Sequence, residues 1–250
     1  MSTHNIIEVK NLTKVYSPKK NPVHALSGIS FEVKQGEIFG LLGVNGAGKS
    51  TTLNIMIGLL SCSSGSVKIF GQDFFAFEEQ IKQKMNIATA YADLANNLTV
   101  YRNLKIYALM YKVKNYDEKI NHLLATFGIA AHRNKWVADL SAGEKTRVNL
   151  CKSLINDPSL LLLDEPTASL DPSIAARVRE LILGYQKKQK MTVLLTSHNM
   201  AEVEQICDRV AFLHKGEIYM IDTPANMAQS HKEAGLEDVF IKLARGEYEE

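Results

Sequence analysis

One stretch constrains this chain more than any other, and it reads Ile-Phe-Gly-Leu-Leu-Gly-Val-Asn-Gly-Ala-Gly-Lys-Ser-Thr over residues 38–51. An apolar run leads into a glycine-rich turn and then into a predicted helix at residues 51–59. Its Gly43, Gly48, Lys49 and Ser50 match the pattern G-x-x-x-x-G-K-[ST]. Glycines let successive N–H groups turn toward one anion, and a helix start adds N–H groups and the positive end of its dipole. The sequence therefore predicts a phosphate-binding loop, or P-loop.

The side chains of this loop suit a nucleoside triphosphate. Lys49 can reach the β- and γ-phosphates, and the Ser50 hydroxyl can be a ligand of Mg²⁺. The residues expected to contact the nucleotide are Gly43, Asn45, Gly46, Ala47, Gly48, Lys49, Ser50 and Thr51. A glycine-rich turn that only begins a helix is the alternative, and the coincidence of strand, glycine spacing, lysine and serine argues against it.

Composition and charge bound the remaining possibilities. A chain of 250 residues with 46% hydrophobic and 22% charged residues suits one α/β domain or a core with an insert. A net charge of +2 gives no electrostatic case for binding nucleic acid. The three cysteines have neither metal-site nor disulfide spacing, which favours reduced thiols in the cytosol. No apolar run approaches the roughly 20 residues that span a bilayer, so any work at a membrane needs a partner that spans it.

Hydrophobic periodicity predicts an α/β core interrupted by helices. Residues 6–16 and 29–33 alternate apolar with polar side chains, as β-strands do, whereas the apolar spacing from residue 99 to residue 154 is helical. Four leucines at residues 160–163 predict a strand buried on both faces, as in a parallel sheet.

Two carboxylates follow the leucine strand at its carboxyl end, where open α/β sheets place their ligand sites. Charged side chains at the end of a buried strand are costly unless they have a task. We expect Asp164 to hold Mg²⁺, directly or through water, and Glu165 to polarise the attacking water as a general base.

The segment Leu-Ser-Ala-Gly-Glu at residues 140–144 begins a predicted helix. Ser141 and Glu144 have the S-x-x-E spacing of a capping box. Two interpretations stay open at this point. The segment is an ordinary helix start, or it is a helix start whose N–H groups face a phosphate.

Two more positions have both a structural and a functional interpretation, and a third is predicted to cap a helix. Tyr16 ends the first strand and is either a core or edge residue or an aromatic ring that stacks on adenine. His198 follows a predicted strand at residues 192–196 and is either a surface residue or a contact of the γ-phosphate. Asp171 precedes a proline and is predicted to cap the next helix.

Together the motifs resemble the ATP-binding subunit of ABC transporters over about residues 6–245. They stand in the family's order, at residues 43–51, 140–144, 163–167, 169–171 and 197–198. The specific part is the segment at 140–144, which looks like the family's signature motif just ahead of a Walker B strand. Residues 207–210 and 237–240 resemble cassettes that are paired with ABC-2-type export permeases.

The resemblance implies an α/β fold: a P-loop NTPase core with a mainly parallel sheet, an N-terminal antiparallel β subdomain and a helical insert. One ABC ATPase domain would fill residues 1–250. Its nucleotide-binding core would comprise 1–92 and 151–224, its helical subdomain with the signature motif 93–150, and its C-terminal helical tail 225–250.

The resemblance also implies an ATPase that uses Mg²⁺ and works as a head-to-tail dimer, with an identical subunit or a close paralogue. ATP would lie between the P-loop of one subunit and the signature motif of the other. Glu165, His198 and Lys49 would be the catalytic residues. The dimer would place Tyr16 on adenine, Asp171 at the dimer seam, and Ser141, Gly143 and Glu144 toward the partner's nucleotide. The dimer would drive an integral membrane permease from the cytoplasmic face of the membrane.

Two departures from the family pattern affect these expectations. Ala142 stands where the signature usually has its first glycine. The stretch at residues 88–98 has no glutamine, although the family places one there to help hold Mg²⁺ and water and to couple to the permease. Asp93 or Asn96 could donate an oxygen instead. Two alternatives to a transport ATPase stay open. One is a soluble cassette that remodels a protein or nucleic-acid complex, and the other, which the missing glutamine suggests, is a regulatory cassette that barely hydrolyses ATP.

Overall fold

The computed structural model describes residues 4–17, 19, 21–89, 94–168, 170–231, 233 and 235–244. Its strands are β1 (Asn5–Tyr16), β2 (Val23–Lys34), β3 (Ile38–Leu42), β4 (Ser64–Ile69), β5 (Gln72–Asp73), β6 (Met85–Thr89), β7 (Leu160–Asp164), β8 (Thr192–Ser197), β9 (Arg209–His214) and β10 (Glu217–Asp222). Its helices are α1 (Lys49–Met56), α2 (Glu78–Lys82), α3 (Val100–Met110), α4 (Tyr116–Thr126), α5 (Ala142–Ser153), α6 (Pro172–Gln189), α7 (Met200–Ile206), α8 (Pro224–Ser230) and α9 (Leu236–Ala244). Short 3₁₀ helices lie at Ala130–His132 and Val137–Asp139.

The chain divides into two compact units. The first unit comprises Met1–Ile81 with Thr192–Glu250, and the second comprises Lys82–Met191. The predicted subdivision at residues 92, 150 and 224 is a functional one and stays a prediction. Asp93 and Ser169, both part of predicted motifs, and the tail at 245–250 lie outside the described residues.

The first unit contains two groups of paired strands. An antiparallel sheet has the order β2-β1-β4-β5, which confirms the predicted N-terminal antiparallel subdomain. In the other group β3 lies between β8 and β9, parallel to both, and β9 continues into β10 as an antiparallel hairpin. Every residue of β3 is buried, as the apolar run before the glycine-rich turn predicts.

Helices from the C-terminal part of the chain complete the core of the first unit. Leu236 and Val239 of α9 are buried with Phe212 of β9 in one hydrophobic cluster. The ring of Phe240 lies 5.2 Å from that of Phe212, centroid to centroid. The predicted amphipathic helix near the C-terminus is therefore present, with its apolar side chains packed on the strands.

The second unit pairs two parallel strands and contains the predicted helices. The four leucines of β7 are each at most 1% exposed, which confirms the doubly buried strand. The predicted apolar faces are also buried, with Leu104 and Ala108 on α3 and Ile120, Leu123 and Leu124 on α4. Within the part of the chain that the structure describes, no helix combines the length and apolar character needed to cross a membrane.

Candidate nucleotide site

The P-loop connects β3 to α1, and its backbone path depends on glycine. A Cβ atom at Gly43 would lie 2.3 Å from the carbonyl oxygen of Leu213, so no other residue fits there without a backbone shift. Gly48 has a φ of 111°, in the left-handed region that favours glycine. The N–H of Gly216, in the β9–β10 turn, donates to the carbonyl of Ala47 at 3.0 Å. The loop is thus fixed by backbone contacts with neighbouring strands.

Lys49 is the first residue of α1, and its side chain turns back over the loop. Its ammonium donates to the carbonyl oxygens of Gly43 at 2.7 Å and Val44 at 3.3 Å. The residue is only 6% exposed. Ser50 is exposed in the same helical turn. The helix begins two residues before the predicted start at Thr51, because the left-handed Gly48 is its N-cap.

Two other candidate residues belong to the same unit. The hydroxyl oxygen of Tyr16 lies 3.4 Å from that of Thr51, at the predicted adenine side of the loop. Leu42 and Ser197 are register partners on parallel strands, so Gly43 and the exposed His198 leave the sheet at the same end. The structure therefore places Tyr16 beside the P-loop and His198 at the same end of the sheet, and their contacts with a nucleotide stay predictions.

Buried polar contacts fix the segment that contains His198. The Ser197 hydroxyl donates to the carboxylate of Glu202 at 2.9 Å and accepts the N–H of Asn199 at 3.0 Å. Glu202 is 1% exposed, and its N–H donates to the side-chain oxygen of Asn199 at 3.1 Å. The backbone on both sides of His198 is thus held by hydrogen bonds.

The paired carboxylates lie in the second unit. Asp164 is the last residue of β7 and the register partner of Thr89 on β6. Glu165 follows with a φ of 48°, a left-handed conformation that is uncommon for a residue with a side chain. Both residues are half-buried. Backbone strain of this kind concentrates at functional sites, which is consistent with the predicted role of Glu165.

The predicted capping box at the start of α5 is present. The Ser141 hydroxyl accepts the N–H of Glu144 at 3.3 Å, and the Glu144 carboxylate accepts the N–H of Ser141 at 2.7 Å. The backbone hydrogen bond from Ser141 lowers the pKa of Glu144 below its usual value. Ala142 is exposed, so the methyl group where the family has glycine is accommodated at the surface. A Cβ atom at Gly143 would lie 3.2 Å from Cδ1 of Ile174 on α6.

Asp171 occupies the N-cap of α6, followed by Pro172, as predicted. Among the described residues its side chain makes no capping hydrogen bond, and it is exposed. An exposed carboxylate at this position is compatible with the predicted place at a dimer seam.

One polar contact within the stretch that has no glutamine was not predicted from the sequence. Nδ2 of Asn149 on α5 donates to the carbonyl of Thr89, the last residue of β6, at 2.7 Å. Asn149 is 6% exposed. The sequence signal that could have indicated this contact is a polar residue, Asn149, between the apolar Val148 and Leu150 on a mostly buried helix face. Asn96 is exposed, Asp93 lies outside the described residues, and the choice between them stays a prediction.

Comparisons with known proteins agree with these motifs. A family model described as "ABC transporter" matches residues 26–168. A second model, described as "AAA domain, putative AbiEii toxin, Type IV TA system", matches the shorter stretch 137–204.

Individual relatives include both export and import proteins. A "Fluoroquinolones export ATP-binding protein" of Mycobacterium tuberculosis is 36% identical over 89% of this chain and 72% of its own length. A "Methionine import ATP-binding protein" of Staphylococcus epidermidis is 30% identical over 94% of this chain and 71% of its own. A solved structure titled "Structure of ATP binding subunit of ABC transporter" has a TM-score of 0.84 at 27% identity, covering 96% of this chain and 99% of that one. The chain belongs to the ABC transporter family of ATP-binding subunits.

Proposed function

We propose that this chain is the ATP-hydrolysing subunit of a membrane exporter and that it drives its permease through ATP-dependent dimerisation. The observation that carries the proposal is the local structure of the two family motifs, which supports their proposed roles. The first unit has a glycine-dependent loop with the Lys49 ammonium at its carbonyl oxygens. The second has a capped helix start whose Ser141 and Ala142 lie at the surface, where a second subunit can reach them.

The proposed chemistry is in-line attack of water on the γ-phosphorus of ATP, which breaks the bond from that phosphorus to the β,γ-bridging oxygen and releases ADP and phosphate. Glu165 takes the proton of the attacking water as general base, and Lys49 and His198 stabilise the charge on the γ-phosphate oxygens. The proposed nucleotide contacts are the P-loop residues and Tyr16. The partner subunit contributes Ser141 and the start of its helix α5, with Gly143 and Glu144, to the same ATP. Asp171 lies at the dimer seam.

The donor set fits Mg²⁺, because Ser50 offers a hydroxyl oxygen and Asp164 a carboxylate oxygen, the hard ligands that this ion prefers. When bound there, Mg²⁺ would supply positive charge that offsets the charge developing on the phosphate oxygens. The proposed location is peripheral, at the cytoplasmic face of the membrane, since an ATP-binding subunit needs a spanning partner. The export direction is supported by the resemblance at residues 207–210 and 237–240 and by the relative named for fluoroquinolones export.

Capture of the tagged chain from its own cells tests the partner. We expect recovery from membranes together with an integral membrane protein, and we expect inverted vesicles containing both to hydrolyse ATP and accumulate the exported compound. A pool that is only soluble or ribosome-bound would contradict transport and favour the remodelling cassette. Binding of ATP without turnover in the assembled complex would favour the regulatory cassette that the missing glutamine suggests. A complex with Lys49→Ala is the control, since it should assemble but bind nucleotide weakly.

A further inference from the structure

Glu144 at the start of α5 has both carboxylate oxygens engaged. Oε2 accepts the backbone N–H of Ser141 at 2.7 Å and lies 3.9 Å from Nζ of Lys135. Oε1 lies 3.1 Å from Nε2 of His132. The side chain of Glu144 is 18% exposed. Its oxygens therefore hold the helix start.

The two side chains that contact Glu144, those of His132 and Lys135, come from the segment that precedes α5, and that segment is anchored to α3. We call residues 132–137 the strap. The N–H groups of Val100 and Tyr101, at the start of α3, donate to the strap carbonyls of Lys135 at 3.0 Å and Arg133 at 2.9 Å. The guanidinium of Arg133 also lies 3.9 Å from the centroid of the Tyr101 ring. The strap thus has a fixed path when it reaches Glu144.

A cap made of one serine and one glutamate can rotate as a unit with its helix. Two side chains from outside the helix remove that freedom, because they contact the carboxylate from the strap rather than from α5. Burial and the hydrogen bond from Ser141 have opposite effects on the pKa of Glu144, and the hydrogen bond prevails, so the pKa is lowered. His132 and Lys135 contribute in the same direction. The carboxylate of Glu144 is therefore ionised at neutral pH.

We infer that His132 and Lys135 are positioning residues: they hold Glu144 so that the start of α5 presents Ser141 and its first N–H groups to the nucleotide of a second subunit. The inference rests on the proposed function, since it concerns the dimer that ATP closes. The two residues touch no nucleotide. They act through Glu144 and set how well the helix start fits the partner's ATP.

The test measures ATP-driven dimerisation of the full chain by sedimentation with MgATP, in a Glu165→Gln parent that retains the nucleotide. His132→Ala should weaken the dimer roughly three- to fivefold, about the size of the loss of one partly exposed side-chain contact with a carboxylate. His132→Gln keeps an N–H donor and should restore most of the loss. His122→Ala, at an exposed position on α4, is the matched control and should dimerise like the parent. In turnover assays without Glu165→Gln, His132→Ala should lower kcat and leave ATP binding to the monomer unchanged.

A double variant separates positioning from general damage. If His132 acts through Glu144, then adding His132→Ala to Glu144→Ala should cause no further loss of dimer. Equal dimerisation of His132→Ala and the parent would overturn the inference, as would a loss matched by a lower melting temperature or by weaker ATP binding to the monomer. If the parent itself does not dimerise with MgATP, the proposed function fails and the inference falls with it. If the parent dimerises and only the His132 variants show no difference, the inference alone fails.

Discussion

The two helix starts that the family assigns to ATP are built in opposite ways. Among the described residues no side chain caps α1, whose N-cap is the left-handed Gly48. At α5, Ser141 and Glu144 form a complete capping box. Glycine, close backbone contacts and one buried lysine shape the first start, whereas side chains shape the second. The start of α1 therefore presents N–H groups that no side chain caps among the described residues and that can bind an anion, whereas the start of α5 already has the N–H groups of Ser141 and Glu144 bonded within its capping box.

This contrast assigns different tasks to the two units. The first should determine the affinity for nucleotide, because its loop contains Lys49 and depends on glycine at positions 43 and 48. The second should determine turnover and dimerisation, because it contains the proposed base and the surface-exposed helix start. Substitutions in each unit test this assignment.

The largest effect is expected for Glu165→Gln in the second unit. The amide has the shape of the carboxylate but cannot take a proton from water, so kcat should fall by roughly 10²- to 10⁴-fold. Affinity for ATP should stay unchanged, because the P-loop is intact, and the ATP-bound dimer should accumulate. Steady-state phosphate release and fluorescent-nucleotide titration measure the two quantities.

Lys49→Ala should change binding rather than the chemical step in the same assays. It removes the ammonium that donates to Gly43 and that is proposed to contact the phosphates, so the affinity for ATP should fall. Equal turnover of Glu165→Gln and the unmodified chain would refute the assigned base. Unchanged affinity of Lys49→Ala would contradict the assignment of binding to the first unit.

A pair of glycine substitutions gives the next largest effect. In Gly43→Ala the new methyl group would meet the backbone oxygen of Leu213 at 2.3 Å, so strands must move and the free energy of unfolding should fall by about 2 kcal/mol. In Gly143→Ala the nearest atom is the end of the flexible Ile174 side chain at 3.2 Å, and alanine favours the helix, so the change should stay within about 1 kcal/mol. Urea unfolding measures both. Equal losses in the free energy of unfolding would show that the starts of α1 and α5 do not differ in how they are built.

Local sequence patterns predicted the parts of this molecule that depend on neighbours in the chain. The four leucines of β7 gave a buried strand, and the S-x-x-E spacing gave the capping box of α5. The glycine and lysine pattern located the P-loop. Each of these features depends on contacts within a few residues or on an apolar run, so the sequence contains the whole signal.

Other features depend on residues that are distant in the chain, and no pattern indicated them. Gly43 is required by the carbonyl of Leu213, which belongs to a neighbouring strand. His132 reaches Glu144 only because backbone hydrogen bonds at the start of α3 fix the strap. The left-handed backbone of Glu165 is likewise a product of tertiary structure, since glutamate has no local preference for it. Local patterns therefore predict candidate residues, whereas the contacts that position them depend on the tertiary structure.

The smallest effect concerns the pH dependence of stability at the signature start. The pKa of Glu144 is lowered in the folded chain, first by the hydrogen bond from the Ser141 N–H, so its carboxylate stabilises the fold above its ordinary pKa of 4.5. That contribution is lost as the pH falls through the lower pKa of the folded state. Glu144→Gln removes it and should cost about 0.5 kcal/mol near pH 7, the size expected for a charge at a helix start. Melting temperatures of the two proteins should converge as the pH falls below about 4.

The control is Glu180→Gln, at an exposed position within α6, which makes the same change in net charge. Its difference in melting temperature from wild type should stay nearly constant with pH. A pH-independent gap for Glu144→Gln would mean that the carboxylate at the start of α5 contributes packing rather than charge, and the contrast with the uncapped α1 would then be one of shape alone.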